Sequence, residues 1–217
     1  MDESLAIKTV VDIARSMYER RMVTTYEGNV SLRCTDRVYI TPTTQCKGKL
    51  MEDMVVVLDM AGGIVGGTLQ PSSEYRMHLE FYRLRPDITC VVHTHSPYAT
   101  AFACCRMPIQ SRSYFEAIVK FDRIPVADYG LTASEKIFQG IAKYVNETDV
   151  MLLANHGVVS YHADPYEAFY QAEAVEAIAK VLAITRTLGG EHPLDPEDMA
   201  DLYRLRKDSM GRGELKL

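Results

Sequence analysis

Asn29-Val30-Ser31-Leu32-Arg33-Cys34-Thr35-Asp36-Arg37-Val38-Tyr39-Ile40-Thr41 is the stretch on which the fold turns. Residues 29–33 and 37–41 alternate in the manner of half-buried strands, and only Cys34-Thr35-Asp36 separates them. A helical crossover needs a dozen or more residues, so this pair is an antiparallel hairpin. Working outward, residues 54–58 (MVVVL) read as a short buried strand, 59–63 as a turn, and 64–67 as the chain leading away from it. Further strands are predicted at 88–93, 126–129, 150–153 and 157–160. Helices are predicted at 3–22, on the apolar positions Leu5, Val10, Ile13 and Met17, and at 74–85, broken by Pro86. Others follow at 97–105, from a cap at Thr132 or Ser134 to Tyr144, from 165 to about 188 before Gly189-Gly190, and at about 195–206. Helices lie at both ends and between strands, and several connections are too short for crossovers. The reading is one α/β domain, residues 1–217, with a mostly antiparallel or mixed sheet.

Composition narrows the function classes. The chain has 217 residues, 47% of them hydrophobic and 24% charged, enough for one well-buried domain. Its formal charge is −5 and its lysines and arginines are scattered, which gives no nucleic-acid footprint. No apolar run reaches membrane-spanning length, and Met1-Asp2-Glu3-Ser4 does not open a signal peptide, so no membrane association is expected. The five cysteines form no C-x-x-C, which suits thiols in a reducing cytoplasm better than a disulfide framework.

The chemistry is concentrated at His93-Thr94-His95, where the 88–93 strand ends. Alternate residues of a strand share a face, so both imidazoles leave the sheet on one side. Glu74, after Pro71-Ser72-Ser73, and His156, within Ala154-Asn155-His156-Gly157, complete a set of three nitrogens and one carboxylate. That set suits zinc, though manganese and cobalt accept the same donors. Cys90 is a rival ligand whose strand parity turns it away. His78, one helical turn after Glu74, is a second rival that could pair with Glu74 or tune it. His162 and His192 read as solvated. Gly28-Asn29, Thr43-Thr44 and Ser72-Ser73 are three clusters of small hydrogen-bonding residues at element junctions. Ser72-Ser73 opens a helix, where free N–H groups favour an anion, although both serines also fit plain capping. A metal that polarises a carbonyl stabilises an enediolate, and carbon–carbon chemistry then needs a proton carrier. Glu74 is the candidate base. Tyr114 is the candidate acid, with Glu116 competing.

With these residues assembled, the chain resembles the class II aldolase/adducin family, nearest its bacterial fuculose-phosphate aldolase branch. Gly28-Asn29-Val30-Ser31, Ile40-Thr41-Pro42-Thr43, Pro71-Ser72-Ser73-Glu74, Val92-His93-Thr94-His95 and Asn155-His156-Gly157 carry the resemblance nearly end to end. It implies a three-layer α/β fold with a central, mostly antiparallel sheet flanked by helices. It implies a homotetramer with one zinc per subunit, held by Glu74, His93, His95 and His156, and active sites at subunit interfaces. Glu74 would double as the base. Asn29, Thr43, Ser72 and Ser73, with backbone of Gly28 and Thr44, would hold the phosphate of a sugar substrate. Tyr114 would be the acid from a neighbouring subunit, Tyr129 would line the aldehyde pocket, and residues from about 207 to 217 would form a mobile tail. Thr44 stands where the family has glycine, so a positive φ there would test the match.

The implied activity is cleavage of a ketose 1-phosphate, L-fuculose 1-phosphate or a related deoxy-sugar phosphate, to dihydroxyacetone phosphate and an aldehyde. A 5-deoxyribulose or methylthioribulose 1-phosphate of salvage metabolism is the alternative substrate. Ribulose-5-phosphate 4-epimerase or methylthioribulose-phosphate dehydratase chemistry could use a similar site, but the epimerases usually carry aspartate where this chain has Glu74. Adducin-like members keep the fold without a working metal site, and the complete ligand set argues against that here.

Overall fold

The computed structural model describes residues 2–132 and 134–210. In chain order the elements are α1 (Glu3–Glu19), β1 (Asn29–Cys34), β2 (Arg37–Ile40), β3 (Val56–Asp59), β4 (Ile64–Gly66), α2 (Tyr75–Leu84) and β5 (Cys90–Thr94). They continue with α3 (Pro97–Cys104), β6 (Ile109–Gln110), α4 (Phe115–Lys120), β7 (Arg123–Ile124), β8 (Val126–Ala127) and α5 (Glu135–Ala142). The chain closes with β9 (Val150–Leu153), β10 (Gly157–His162), α6 (Pro165–Thr187) and α7 (Pro196–Met210).

Eight strands form one sheet in the order β4-β3-β2-β1-β5-β10-β9-β8, antiparallel throughout except for the β8–β9 pair. The expected hairpin is there: Ser31 faces Ile40 and Cys34 faces Arg37, so strand pairing runs through Cys34 and only Thr35-Asp36 turn. β6 and β7 make a separate two-stranded ribbon.

Alternation along the strands sorts the core into layers. Val30, Leu32, Cys90 and Val92 point to one face, where α1 and α6 cover them with Val10, Ile13, Met17 and Phe169. Val38, Ile40, Val91, Val159 and Tyr161 point to the other, under Met77 and Phe81 of α2 and Ile137 and Ile141 of α5. A third cluster joins α3, α4 and α6 beneath β9 and β10. The three-layer α/β architecture is thus as expected, in one domain.

Element boundaries differ where local chemistry overrides pattern. α1 stops at Glu19 rather than residue 22, because Arg21 takes a left-handed backbone (φ 58°). There the N–H of Met22 reaches Met17 O and that of Arg21 reaches Tyr18 O, the Schellman closure that consumes the last helical carbonyls. The strand expected from 54 begins at Val56, since Glu52–Met54 form a 3-10 turn. The last helix runs on to Met210, so residues 207–210 are helical rather than tail; the rest of the expected tail lies outside the described residues. α7 is tied back onto α4: the buried Arg206 donates to Val119 O (2.9 Å) and the Tyr203 hydroxyl to Asp122 (3.1 Å). α4, β6 and β7 were not anticipated.

Candidate functional site

The sheet brings the four predicted ligands to one place. His93 is fully buried in β5, paired with Asn29 on one side and Val159 on the other. His95 follows just past the strand end. His156 sits in the tight β9–β10 turn, where Asn155 accepts the left-handed conformation (φ 58°) that asparagine tolerates better than most residues. Glu74 precedes the first turn of α2. His93 Nε2 lies 2.9 Å from His95 Nε2 and 3.2 Å from Glu74 Oε2, and His156 Nε2 lies 3.2 Å from Glu74 Oε1. All four ligand atoms fall within 4.8 Å of one another. A tetrahedral ion with bonds of about 2.1 Å separates its ligands by about 3.4 Å, so the spacing suits one ion.

The donor chemistry also fits a metal. Nδ1–H of His93 donates to Val158 O (2.8 Å), which leaves Nε2 with its lone pair toward the cluster. Glu74 Oε1 is buried and makes no hydrogen bond, an acceptor left for a cation. Burial, aided by the neighbouring imidazoles, lowers His95 and His156 to about 4. Both rings are therefore neutral near pH 7, each with one nitrogen lone pair available to a metal. Burial alone would raise the Glu74 carboxyl, but His93, His156 and the Asn29 amide outweigh it and hold the group well below the usual carboxylate range.

Behind Glu74 runs a buried chain of hydrogen bonds with forced directions. A carboxylate only accepts, so Asn29 must present its amide Nδ2 to Glu74 Oε2 (2.7 Å). Asn29 Oδ1 then faces His78 Nε2 at 2.5 Å, which must carry the proton. His78 Nδ1 accepts from Ser31 Oγ (2.7 Å), and Ser31 Oγ meets the Tyr82 hydroxyl (2.8 Å), whose single proton is shared with Thr89 O (3.2 Å). Burial pushes His78 down to about 3, in keeping with the neutral ring this order demands. His78 is therefore no metal ligand but a partner of Asn29, and through it of Glu74. Cys90 points into the α1 face as parity required, and burial drives its thiol pKa upward.

Beside the ligands opens a cavity of 290 Å³ whose walls include Gly28, Asn29, Thr43, Ser72 and Ser73 together with Glu74, His95 and His156. The two loops that carry the hydroxyls are zipped together, Ser72 N–H donating to Thr41 O and Thr43 N–H to Gln70 O, both at 3.0 Å. Ser72 Oγ also accepts from Glu74 N (3.3 Å) in a turn ahead of the helix; the N-cap is Glu74, so neither serine caps α2. Gly28 combines a positive φ (65°) with close approach to β5; a Cβ there would lie 2.9 Å from His93 O. Thr44 adopts the glycine-like backbone too (φ 55°), at a cost of about 1 kcal/mol for a residue with a Cβ. Its side chain is exposed and does not line the cavity.

Two predicted residues lie elsewhere. Tyr114 is half-buried at the start of α4, against the α3–α6 cluster, and Glu116 is exposed on that helix. Tyr129 is exposed and lines a second cavity, of 330 Å³, with Arg106, Asp128 and Lys136. Within one protomer neither tyrosine reaches the ligand cluster's cavity. Sequence reasoning in turn missed Tyr26, Glu27, Lys47 and Thr132, which do line it. Lys47 alone left a usable signal, a lysine in a loop next to a predicted anion site.

Comparison with known proteins gives the family. The family model of the class II aldolase and adducin N-terminal domain matches residues 8–183. An L-fuculose phosphate aldolase of Methanococcus vannielii is 37% identical over 175 residues, covering 81% of this chain and 94% of its own. A 3-oxo-tetronate 4-phosphate decarboxylase of Haemophilus influenzae is 34% identical over 177 residues, covering 79% and 84%. The solved structure of an L-fuculose 1-phosphate aldolase superposes with a TM-score of 0.85 over 97% of this chain and 99% of its own, at 28% identity. No described helix is long and apolar enough to cross a membrane. The chain belongs to the class II aldolase and adducin N-terminal domain family, on its enzymatic, carbon–carbon lyase side.

Proposed function

We propose that this chain is a zinc-dependent aldolase that cleaves a ketose 1-phosphate, L-fuculose 1-phosphate or a related deoxy-sugar phosphate, to dihydroxyacetone phosphate and an aldehyde. The observation that carries the reading is the convergence of three imidazole Nε2 atoms and a buried carboxylate at the mouth of a hydroxyl- and amide-lined cavity. Three imidazoles with one carboxylate suit zinc; manganese or cobalt would serve the same donors. When bound, such an ion supplies Lewis-acid stabilisation of an enediolate.

The protein residues do the rest. Gly28, Asn29, Thr43, Ser72 and Ser73, with backbone of Thr44, hold the phosphate by hydrogen bonds. Glu74 moves a proton at the reacting carbons. Its two oxygens have different surroundings, Oε2 held by Asn29 and Oε1 without a hydrogen bond, so one can act while the other stays anchored. Phosphate binding at Asn29 would loosen that anchor and couple substrate arrival to release of Glu74. Tyr114, distant from the cavity of its own protomer, acts as the acid from a neighbouring subunit in a homotetramer, with Tyr129 on the aldehyde side. The five cysteines, spaced without a C-x-x-C, suit a cytoplasmic enzyme.

The test is a coupled assay for dihydroxyacetone phosphate released from L-fuculose 1-phosphate and 5-deoxyribulose 1-phosphate, before and after chelation and zinc return. Zinc-dependent release is expected. The Haemophilus relative favours one second reading, decarboxylation of a 3-oxo acid phosphate, in which the same residues serve an enolate formed by loss of carbon dioxide. Release of carbon dioxide from such an acid, with no aldol cleavage of either sugar, would replace the aldolase reading.

A further inference from the structure

Lys47 is 1% exposed, among the largest fully buried side chains of the protein, yet it belongs to the wall of the ligand cavity together with Thr43, Ser72 and Ser73. Its ammonium donates to two backbone carbonyls, Tyr26 O (3.3 Å) and Gln45 O (3.2 Å). An ammonium has three N–H bonds, so these two long contacts leave donor capacity unused. Among the described residues no carboxylate lies within 4.0 Å of it; the acidic groups that act on it from further off are Cys46, Glu74 and Glu27. A buried, unpaired cation is expensive, and burial accordingly lowers the Lys47 pKa.

The position is held rather than accidental. Lys47–Lys49 form a 3-10 turn packed on α1, where Gly48 lies against the Tyr18 ring and Arg15 donates to Leu50 O (2.9 Å). The other groups predicted to hold phosphate are hydroxyls and amides, all neutral. A phosphate dianion entering beside Glu74 and Glu27 meets their negative charge, which a nearby ammonium would offset.

We propose that Lys47 is the cationic member of the anion pocket, a specificity residue whose ammonium pairs with the phosphoryl group of the substrate. The inference rests on the phosphosugar reading above. It adds that the pocket selects doubly charged phosphate esters by charge as well as by hydrogen bonding.

The experiment is calorimetric titration of the zinc-loaded protein with inorganic phosphate, comparing wild type with Lys47→Met, Lys47→Gln and Lys47→Arg. Each variant is checked for zinc content and melting temperature. Loss of a charged hydrogen bond should weaken phosphate by about 10- to 100-fold in the neutral variants, with Lys47→Arg retaining most of the affinity. KM for the phosphorylated sugar should rise in step while kcat changes little. A folded Lys47→Gln protein that binds phosphate like wild type overturns the proposal. Independently of how the variants fold, wild-type protein labelled with 15N-lysine should show one ammonium whose proton exchange slows when phosphate is added; no such ammonium also overturns it. Failure of wild type to bind phosphate at all would instead sink the phosphosugar reading.

Discussion

Gly157→Ala is the substitution that most directly tests whether backbone packing sets the metal geometry. Gly157 opens β10 immediately after His156, and its neighbour Val158 pairs with Thr94. A Cβ built on Gly157 would press against the carbonyl oxygen of Thr94 and lie 3.0 Å from His95 Cδ2 and 3.2 Å from His93 Cε1. Carbon atoms pack at about 3.5–4.0 Å, so each ring must retreat by roughly 0.5 Å. Metal-site distances tolerate about 0.2 Å. His93 cannot move freely, pinned through Nδ1 to Val158 O, and the Thr94 carbonyl belongs to the central sheet. Overpacking of this kind costs about 1–3 kcal/mol of stability. In a protein of this size each kcal/mol corresponds to about 2–4 °C of melting temperature. Misaligned ligands should weaken zinc by about 10- to 100-fold. Affinity is read by competition with a chromogenic chelator, and stability by calorimetry of the metal-free and loaded forms. A variant that binds zinc within threefold of wild type and melts at the same temperature would refute the reasoning.

Further outcomes follow from the same site. Glu74→Gln should lower turnover by about 10²- to 10⁴-fold while most of the zinc remains, since three histidines are intact; wild-type kcat with bound metal would remove Glu74 as the base. His93→Ala should lose both zinc and activity, measured by elemental analysis of the purified protein. Ser73→Ala should raise KM for phosphorylated sugars with little change in kcat; a pure kcat effect would argue against phosphate contact. His78, held near 3 when folded and titrating at about 6.5 when unfolded, makes the unfolded chain take a proton that the native state refuses. Its contribution is therefore complete above about pH 6.5 and is lost as pH falls toward 3. Between pH 6.5 and 4.5 the loss is about 2 kcal/mol. In urea melts of the metal-free protein, His78→Gln should show a pH dependence shallower by that amount, and equal slopes would contradict the neutral, buried ring.

Much of this molecule was legible in its sequence because its elements carry strong periodicity. The 29–41 hairpin, the buried strands at 90–94 and 150–153 and the long helix from Pro165 all lie where alternation or caps place them. His93 and His95 were readable as a pair from strand parity, which also turned Cys90 away. Other features have no local signature. α4 has six residues, less than two full turns, and β6 and β7 have two each; only their packing against α3, α6 and α7 makes them stable. His78 was visible as a residue one turn from Glu74, but its link through Asn29 depends on β1 lying beside α2, a long-range contact. Lys47 entered the cavity because the 3-10 turn folds under α1, and that is invisible to any periodic pattern.

The hydrogen-bonded file from Tyr82 to Glu74 and the pinned ring of His93 orient two of the four binding groups through protein contacts alone. Each is locked by a donor–acceptor direction that the sheet itself imposes. In small metal-folded domains, by contrast, the chain is unstructured until the ion arrives. Here the opposite order is expected, because the polypeptide's own hydrogen bonds already orient Glu74 and His93. On the proposed zinc-dependent reading, protein stripped of its ion would stay folded and inactive, and would regain activity when zinc is returned. Supply of the ion would govern how much enzyme works, and leave untouched how much survives.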